Sequence, residues 1–513
     1  MADNNTQNNK RIAKNTMLLY IRMLITMVVT LYTSRIILKV LGVQDFGIYN
    51  VVGGVVTMFG FLSGCMSTAT QRYITFSLGK NDNKALCKVF SISIILHLMV
   101  ALCVLLAAET FGLYFLNTQM KIPTERLFAA FCVYQCSIIA SIIMIISIPY
   151  NALIVAHERM SAFAYISIID VSLKLLIVVI LPFFPFDRLI FYAVLILIVQ
   201  ILNRFFYTLY CRRNFKSIHF SYKIIDKDLM KEMLQFGGWS IFGNFAYVGY
   251  TQGINVLLSM FFGPTVNAAR AISVQVQNAI NMFSMNFQTA LNPQITKLYA
   301  INDIRDMENL VFKSCKISFF LLFLISLPIL INTEYVLQLW LSEVPEYTII
   351  FVRLMLLITI LDATANPFMV SASATGRVRR YHTIIGGTLL MVLPISFIFL
   401  CYGYSPVSTI IVHLFLCIIA FIGRFIIVKS MIDFRLTVFI REVVLKCLCV
   451  ILTAAPICFF ISRIYKISFI TFVIETIIIV FITSILIYYL GFSKNEKTVI
   501  RETIIKYYRK FFS

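Results

Sequence analysis

The sequence predicts an all-α integral membrane protein of about fourteen transmembrane helices. They form two pseudo-symmetric six-helix lobes plus two extra C-terminal helices. Three observations predict this. The 513 residues are 60% hydrophobic and 13% charged, more apolar surface than a soluble fold of that length could hide. Apolar runs near the length that spans a bilayer as a helix, about 20 residues for roughly 30 Å of hydrocarbon, recur along the whole chain. Finally, residues 42–82 align without a gap on residues 263–303, with nine identities in 41 positions. These include Gly42/Gly263, Ser63/Ser284, Thr68-Ala69/Thr289-Ala290, Ile74-Thr75/Ile295-Thr296 and Asn81-Asp82/Asn302-Asp303. A second pair keeps the order: 148–160 resembles 366–378, matching Pro149/Pro367, Ala156/Ala374 and Arg159/Arg377. Two related apolar halves imply a protein that moves cargo through a cleft between lobes.

Fourteen spans are read in order, at about 16–41, 47–70, 89–110, 127–149, 161–181, 189–210, 234–262, 268–295, 311–332, 347–370, 383–402, 406–428, 443–462 and 468–490. Lipid offers backbone groups no partner, so these runs are helices; they are too long and too uniform for strands. Spans 1–6 make an N-lobe (1–210), and a linker follows at 211–233. Spans 7–12 make a C-lobe (234–440), spans 13–14 occupy 441–490, and a basic tail covers 491–513. An even number of spans per lobe gives both lobes one orientation, related by an axis along the membrane normal.

The net charge of +21 raises the question of nucleic acid, and the distribution of charge argues against it. Lys and Arg gather on alternate connections, above all at Arg212, Arg213, Lys216, Lys223, Lys227, Lys231 and from Lys494 to Lys510. That is positive-inside asymmetry, which puts both termini in the cytoplasm and those clusters against anionic lipid headgroups. The twelve cysteines lie mostly inside spans without His or carboxylates clustered beside them, so they read as packing groups. The polar, Asn-rich start and long first apolar run do not fit a cleavable signal. No GxxxxGK[ST] motif occurs, so no ATPase is built in. The acidic triplet Asp226–Asp228 reads as a helix cap before span 7.

Span 8 is the most polar. Arg270, Gln277, Asn281, Ser284 and Gln288 fall within about 60° of one another at 100° per residue. Such a stripe must meet protein or water. Either it bonds neighbouring helices or it lines a wet cavity, and the second reading assigns it to substrate. Its repeat partners on span 2, Tyr49, Val56, Gly60, Ser63 and Ser67, are mostly small or polar, which suits a cavity or close packing. Arg22 and Arg35 on span 1 join Arg270 as candidate anion ligands, because a guanidinium offers phosphate two parallel donors. Thr26, Thr30 and Thr33 share the Arg22 face. Arg204 and Arg424 are placed to snorkel toward the inner interface. Asp170 and Lys174, four apart on span 5, are a neutralising pair or an ion-coupling site, and Asp362 on span 10 has no cation at helical spacing. All three are candidates for coupling transport to H+ or Na+; no other cofactor is implied. His97, His413 and Glu475 are weaker candidates.

At "TSRIILKVLGVQDFGIYNVVGGVVTMFGFLSGCMSTATQRYITFSLGKND" (33–82) the chain resembles the polysaccharide biosynthesis branch of the multidrug/oligosaccharidyl-lipid/polysaccharide exporter superfamily. It is similar in particular to bacterial O-antigen and capsule repeat-unit flippases. "LQFGGWSIFGN" (234–244) fits the start of a second lobe. The resemblance implies two six-helix bundles around a central cavity and no enzymatic activity. It implies an undecaprenyl-pyrophosphate-linked glycan as cargo, carried across a bacterial inner membrane, with cavity arginines for the pyrophosphate. Arg22 and Arg270 match that pattern by position; no coupling carboxylate has a clear match. It further implies anionic membrane lipids, a polysaccharide polymerase and a chain-length regulator as partners of a monomer. The two extra helices also resemble the fourteen-helix lipid II flippases, so that cargo stays open. A drug or cation antiporter of the same superfamily needs an acidic or aromatic cavity, whereas this one is expected to be basic. A membrane glycosyltransferase or polymerase would need a large catalytic loop, and none is present.

Overall fold

The computed structural model describes residues 15–30, 60–114, 124–183, 187–221, 226–262, 264–341, 344–463 and 468–494. It also describes 496–498, 501 and separate positions between 32 and 49. Among these residues no strand occurs. Fourteen long helical segments follow one another: α1 (Asn15–Thr30), α2 (Gly60–Gly79), α3 (Asn83–Gly112), α4 (Thr124–Ala156), α5 (Met160–Phe183), α6 (Arg188–Asn214), α7 (Lys227–Phe262), α8 (Pro264–Ala300), α9 (Ile304–Ile331), α10 (Thr348–Ala374), α11 (Arg379–Cys401), α12 (Val407–Ile432), α13 (Leu436–Ser462) and α14 (Phe469–Gly491). Each overlaps one predicted span, α1 and α2 only in part, because most of the residues between 31 and 59 lie outside those described. Ten of them, α3–α6 and α9–α14, are long and apolar enough to cross a membrane. The protein is a multi-pass membrane protein.

The described residues pack as two compact units. One runs from Ile12 to Asn244 with Thr296–Asn302, the other comprises Phe245–Ile295 and the residues from Asp303 onward. In the first, α4 is the hub, packed on α2, α3 and α6; in the second, α10 packs on α9 and α12. Tyr134 illustrates how α4 is seated. It is fully buried, and its hydroxyl donates to the Ala108 carbonyl at 2.6 Å, satisfying a phenol that lipid could not.

The sequence repeat is a repeat of turns. α2 and α8 end 221 residues apart, at Gly79 and Ala300. Each is followed by an asparagine in the left-handed region, Asn81 (φ 54°) and Asn302 (φ 60°). Asparagine tolerates that conformation better than most residues because its short polar side chain can bond locally. The next residue caps the following helix both times: Asp82 accepts from the Ala85 N–H at 2.9 Å and Asp303 from the Asp306 N–H at 3.1 Å. In the same way α4 and α10 contain Pro149 and Pro367, end at Ala156 and Ala374, and turn through Glu158 (φ 58°) and Gly376 (φ 79°).

Even the contacts correspond, with changed chemistry. Near the start of α3, Cys87 Sγ lies 3.0 Å from the Ser217 carbonyl after α6. The equivalent residues near the start of α9 and after α12, Glu308 and Arg435, form an ion pair at 2.9 Å. One turn on, the Ser221 N–H donates to Ser91 Oγ at 3.1 Å, where the second half has Phe312 against Phe439 with ring centroids 5.3 Å apart. Asp226 caps α7, accepting from the Asp228 and Leu229 N–H groups.

Two features give predictions. A Cβ at Gly79 would stand 2.7 Å from Ala300 Cβ and 3.0 Å from the Lys297 backbone, so α2 meets the end of α8 through a position that only hydrogen fills. Gly79→Val should cost roughly 2 kcal/mol by overpacking. Gly64→Ala, where a Cβ meets nothing within 4 Å, should gain up to about 1 kcal/mol of helix propensity. Thermal unfolding in detergent gives the sign of each.

Beyond α14, Glu496 pairs with Lys316 of α9 at 2.7 Å; the side chains are 14% and 3% exposed. Burial raises the Glu496 pKa, but the Lys316 ammonium and Ser493 more than offset it, leaving it below the ordinary carboxylate value. A depressed carboxylate pKa gives stability that is present above the unfolded pKa and is lost as pH falls through the folded one. Glu496→Gln should therefore cost about 3 kcal/mol at neutral pH, because Lys316 stays buried without its counter-charge. The difference from the wild type should shrink on acidification below the ordinary glutamate range. A difference unchanged by acid would show that the pair does not stabilise this corner.

Candidate functional site

Polar side chains collect in each unit. In the first, α5 presents Phe163, Ser167, Asp170 and Lys174 at spacings of four, three and four, one helical face. The Arg22 guanidinium of α1 lies over the Phe163 ring, 4.6 Å from its centroid, within electrostatic reach of the α6 phenol Tyr207. Arginine on an aromatic face gains attraction from the ring quadrupole while its stem stays apolar. Asp170 binds Lys174 Nζ at 2.8 Å with one oxygen and Asn203 Nδ2 at 2.6 Å with the other. It is a neutralised pair on a three-helix polar seam.

The α1 threonines do not extend that seam uniformly, since Thr26 and Thr33 donate to the Arg22 and Val29 carbonyls of their own helix. Arg204 donates to the Ile146 carbonyl at 2.6 Å and lies over Tyr150, so it bonds to α4. Arg35 lies outside the described residues.

In the second unit the α8 stripe divides. Gln277 and Asn281 are half-buried. Ser284 and Gln288 are 0% and 3% exposed. Gln288 donates to Ser318 Oγ at 3.2 Å and the Ala363 carbonyl at 2.8 Å, and accepts from Asn366. At this end Gln288 bonds neighbouring helices, the interhelical alternative for this part of the face, while the buried Ser284 hydroxyl has no hydrogen-bond partner. A primary amide with its partners in place is worth more to packing than to a ligand.

Arg270 is 1% exposed. Its Nε donates to Asn255 Oδ1 at 2.8 Å, its Nη1 has no hydrogen-bond partner, and no carboxylate pairs with it among the described residues. Positive charge at that depth without a carboxylate is costly and suits an anion.

Asp362 is not a lone carboxylate. Arg424 of α12, 62 residues away, donates to it through Nη1 at 3.0 Å. Helical spacing within span 10 could not reveal a partner on another helix. Arg424 is correspondingly drawn inward, its side chain 13% exposed, rather than extended to the interface. Two groups escaped the sequence reading. Arg72 is buried against the rings of Tyr73, Phe76 and Phe236, and Tyr73 donates to Glu232 at 2.8 Å. Asn203 and Tyr207 complete the first seam. The available signal was a polar residue inside an apolar run, and Arg72 stands near the end of α2 where it passes for a loop charge.

The model of the family described as polysaccharide biosynthesis protein matches residues 12–299, more than half the chain. The chain belongs to the polysaccharide biosynthesis protein family. The MatE family model matches residues 240–399 of this family member. No curated protein matches it. Among solved structures it is similar to an outward-facing multidrug resistance MATE family transporter of the MOP superfamily, at a TM-score of 0.73 and 14% identity. A MATE transporter in a bent conformation follows at 0.72 and 14%. A MOP superfamily transporter from Pyrococcus furiosus, described as having a binding pocket of reverse polarity, gives 0.70 and 14%. Each alignment covers 83% of this chain and 96% of the other. The polysaccharide biosynthesis family member therefore has the MATE fold, with α1–α12 as two lobes and α13–α14 beyond them.

The split of the α8 stripe is testable. In a cysteine-depleted background, Gln277→Cys and Asn281→Cys should react readily with a water-soluble maleimide, and Ser284→Cys and Gln288→Cys slowly. Equal rates at all four positions would reject the division.

Proposed function

We propose that this protein is a flippase that carries undecaprenyl-pyrophosphate-linked oligosaccharide repeat units across a bacterial inner membrane by alternating access. The single observation that carries the reading is Arg270: a guanidinium only 1% exposed, with an unpartnered donor and no carboxylate among the described residues. Polysaccharide biosynthesis family membership supports it. A pyrophosphate supplies the negative charge that such a site lacks. A polar glycan cannot cross hydrocarbon unaided, and a cleft of amides and arginines replaces its water while the lipid tail stays in the bilayer. Arg22, held over Phe163 in the first unit, is a separate candidate anion ligand. Arg35, Gln277 and Asn281 extend the binding surface, and Ser284 and Gln288 support it from behind. Both termini are cytoplasmic, the basic 211–233 connection and the tail meet anionic lipid, and a polymerase and a chain-length regulator receive the product.

The MatE match keeps a drug or cation antiporter in view. The charges weigh against it. Asp170 and Asp362 are both engaged by cations, at 2.8 Å and 3.0 Å, so neither stands free for a cationic drug. A lipid II cargo presents the same pyrophosphate, and the sugar-specific readout separates it.

Arg22→Ala and Arg270→Ala should each cut surface glycan by roughly 10- to 100-fold, the equivalent of about 1.5–3 kcal/mol for a charge-assisted bond. Protein level in the membrane should hold. Arg→Lys should rescue in part, since an ammonium keeps the charge and loses the fork. Normal export in both alanine strains would reject the phosphate assignment. Loss of cell-wall synthesis with surface glycan intact would point to lipid II.

A further inference from the structure

Most titratable side chains on the long helices are already satisfied. Asp170 holds Lys174 and Asn203. Glu475 accepts from Asn332 Nδ2 at 2.8 Å; His97 is half-engaged, its Nδ1 2.8 Å from the Ser93 carbonyl and its Nε2 without a partner. His413 on α12 differs from these. It is 2% exposed, and neither ring nitrogen has a hydrogen-bond partner among the described residues. A neutral imidazole carries one N–H and one lone pair, so both a donor and a basic site stand open inside the unit. Burying such groups unpaired is costly, and a native protein that keeps them has a use for them.

The surroundings of His413 are charged on opposite sides. From α7, Tyr250 packs its ring 5.0 Å from the imidazole, and Tyr247 packs edge-on against Tyr250. From α8, Arg270 acts on the ring electrostatically; from α10, Asp362 does. One turn along α12 is Cys417, within electrostatic reach of Asp362 and Arg424. Arg424 follows two turns further, with the α11 phenol Tyr381 within reach of it. A proton on His413 is thus opposed first by burial and then by Arg270, and favoured by Asp362; movement of α8 relative to α10 and α12 would change that balance.

Asp362 is the member with accessible surface. Its side chain is 35% exposed, and one of its oxygens is bonded to Arg424. A carboxylate engaged by a single hydrogen bond can turn toward a new cation at small cost, whereas one held on both oxygens, like Asp170, cannot.

We propose that His413 is a proton-exchange site of this transporter, with the Asp362–Arg424 pair as its counter-charge. A proton from water adds to the open ring nitrogen, giving an imidazolium that Asp362 stabilises. It leaves from the same nitrogen when the helices move and Arg270 prevails, and no other bond forms or breaks. Membrane transporters use buried His and carboxylate groups in this manner because a proton is the one cation that such a small site can take. The role in a transport cycle rests on the flippase reading; the site itself does not depend on the cargo.

The test needs no cargo. Gln277→Cys in a cysteine-depleted background reports the state of the second unit through its rate of reaction with a water-soluble maleimide in native membranes. It is measured from about pH 4 to about pH 8, a window wide enough for a buried histidine, and normalised at each pH to the unfolded protein. The rate should change about threefold or more across that range. The His97→Gln background should keep the profile and His413→Gln should flatten it. Asp362→Asn should move the midpoint to lower pH, because the charge that favours the imidazolium is gone. A His413→Gln profile like the parent's, or a parent profile that is flat, overturns the proposal. If His413→Gln does not reach the membrane, an unmoved midpoint in Asp362→Asn overturns it. A His413-dependent response in a protein whose loss leaves surface glycan untouched would sink the flippase reading and leave the proton site standing.

Discussion

A charge at membrane depth must be neutralised inside the protein, and the internal chemistry of this chain is organised around that requirement. Lipid gives neither counter-ions nor hydrogen bonds, so each buried ion finds a partner within the protein or is left for something the protein binds. Lys174 finds Asp170, Lys297 finds Glu158 at 2.7 Å, Lys316 finds Glu496 and Arg424 finds Asp362. Arg204 takes a backbone carbonyl, and Arg22 and Arg72 lie on aromatic rings. Arg270 has an asparagine oxygen and no carboxylate among the described residues. A neutralised pair holds helices together in any state of a transport cycle. A guanidinium with spare donors gains most when an anion arrives.

The internal repeat shows what duplication keeps and what it frees. Left-handed asparagines, aspartate caps, helix-interior prolines and helix ends persist at offsets of 221 and 218 residues because each is set by backbone geometry. The side-chain contacts between equivalent positions do not persist. A thiol–carbonyl contact in one half is an Arg–Glu pair in the other, and a serine bond is an aromatic contact. Any pair that fills the gap and satisfies its polar atoms serves, so these positions drift while the turns do not.

That distinction explains what could be read from the sequence. All fourteen long helices follow from the apolar runs, because a run of that length has one stable answer in lipid. The Asp226 cap and the helix-ending turns follow too, because their signals are local. The pairing of charges does not. Asp170–Lys174 sits at helical spacing and is legible; Asp362–Arg424 spans 62 residues and is not. The same limit governs the α8 stripe. Angular position puts Gln277 and Gln288 on one face, but which end meets protein depends on Ser318, Ala363 and Asn366, residues on two other helices.

Fold likeness alone leaves the cargo open, since the same MATE architecture is found in multidrug transporters. Sign of charge carries the distinction further than shape does. A site for a cationic drug needs carboxylates free of cations, whereas here Asp170 and Asp362 are occupied by lysine and arginine and the charge with spare donors is a guanidinium. Reversing that preference by evolution would need at least two coordinated changes. Removing Arg424 alone would free a carboxylate but leave Arg270 to repel the new cation. Removing Arg270 alone would leave both carboxylates occupied. A polarity that single substitutions cannot invert is a durable property of the fold's interior for as long as both arginines remain.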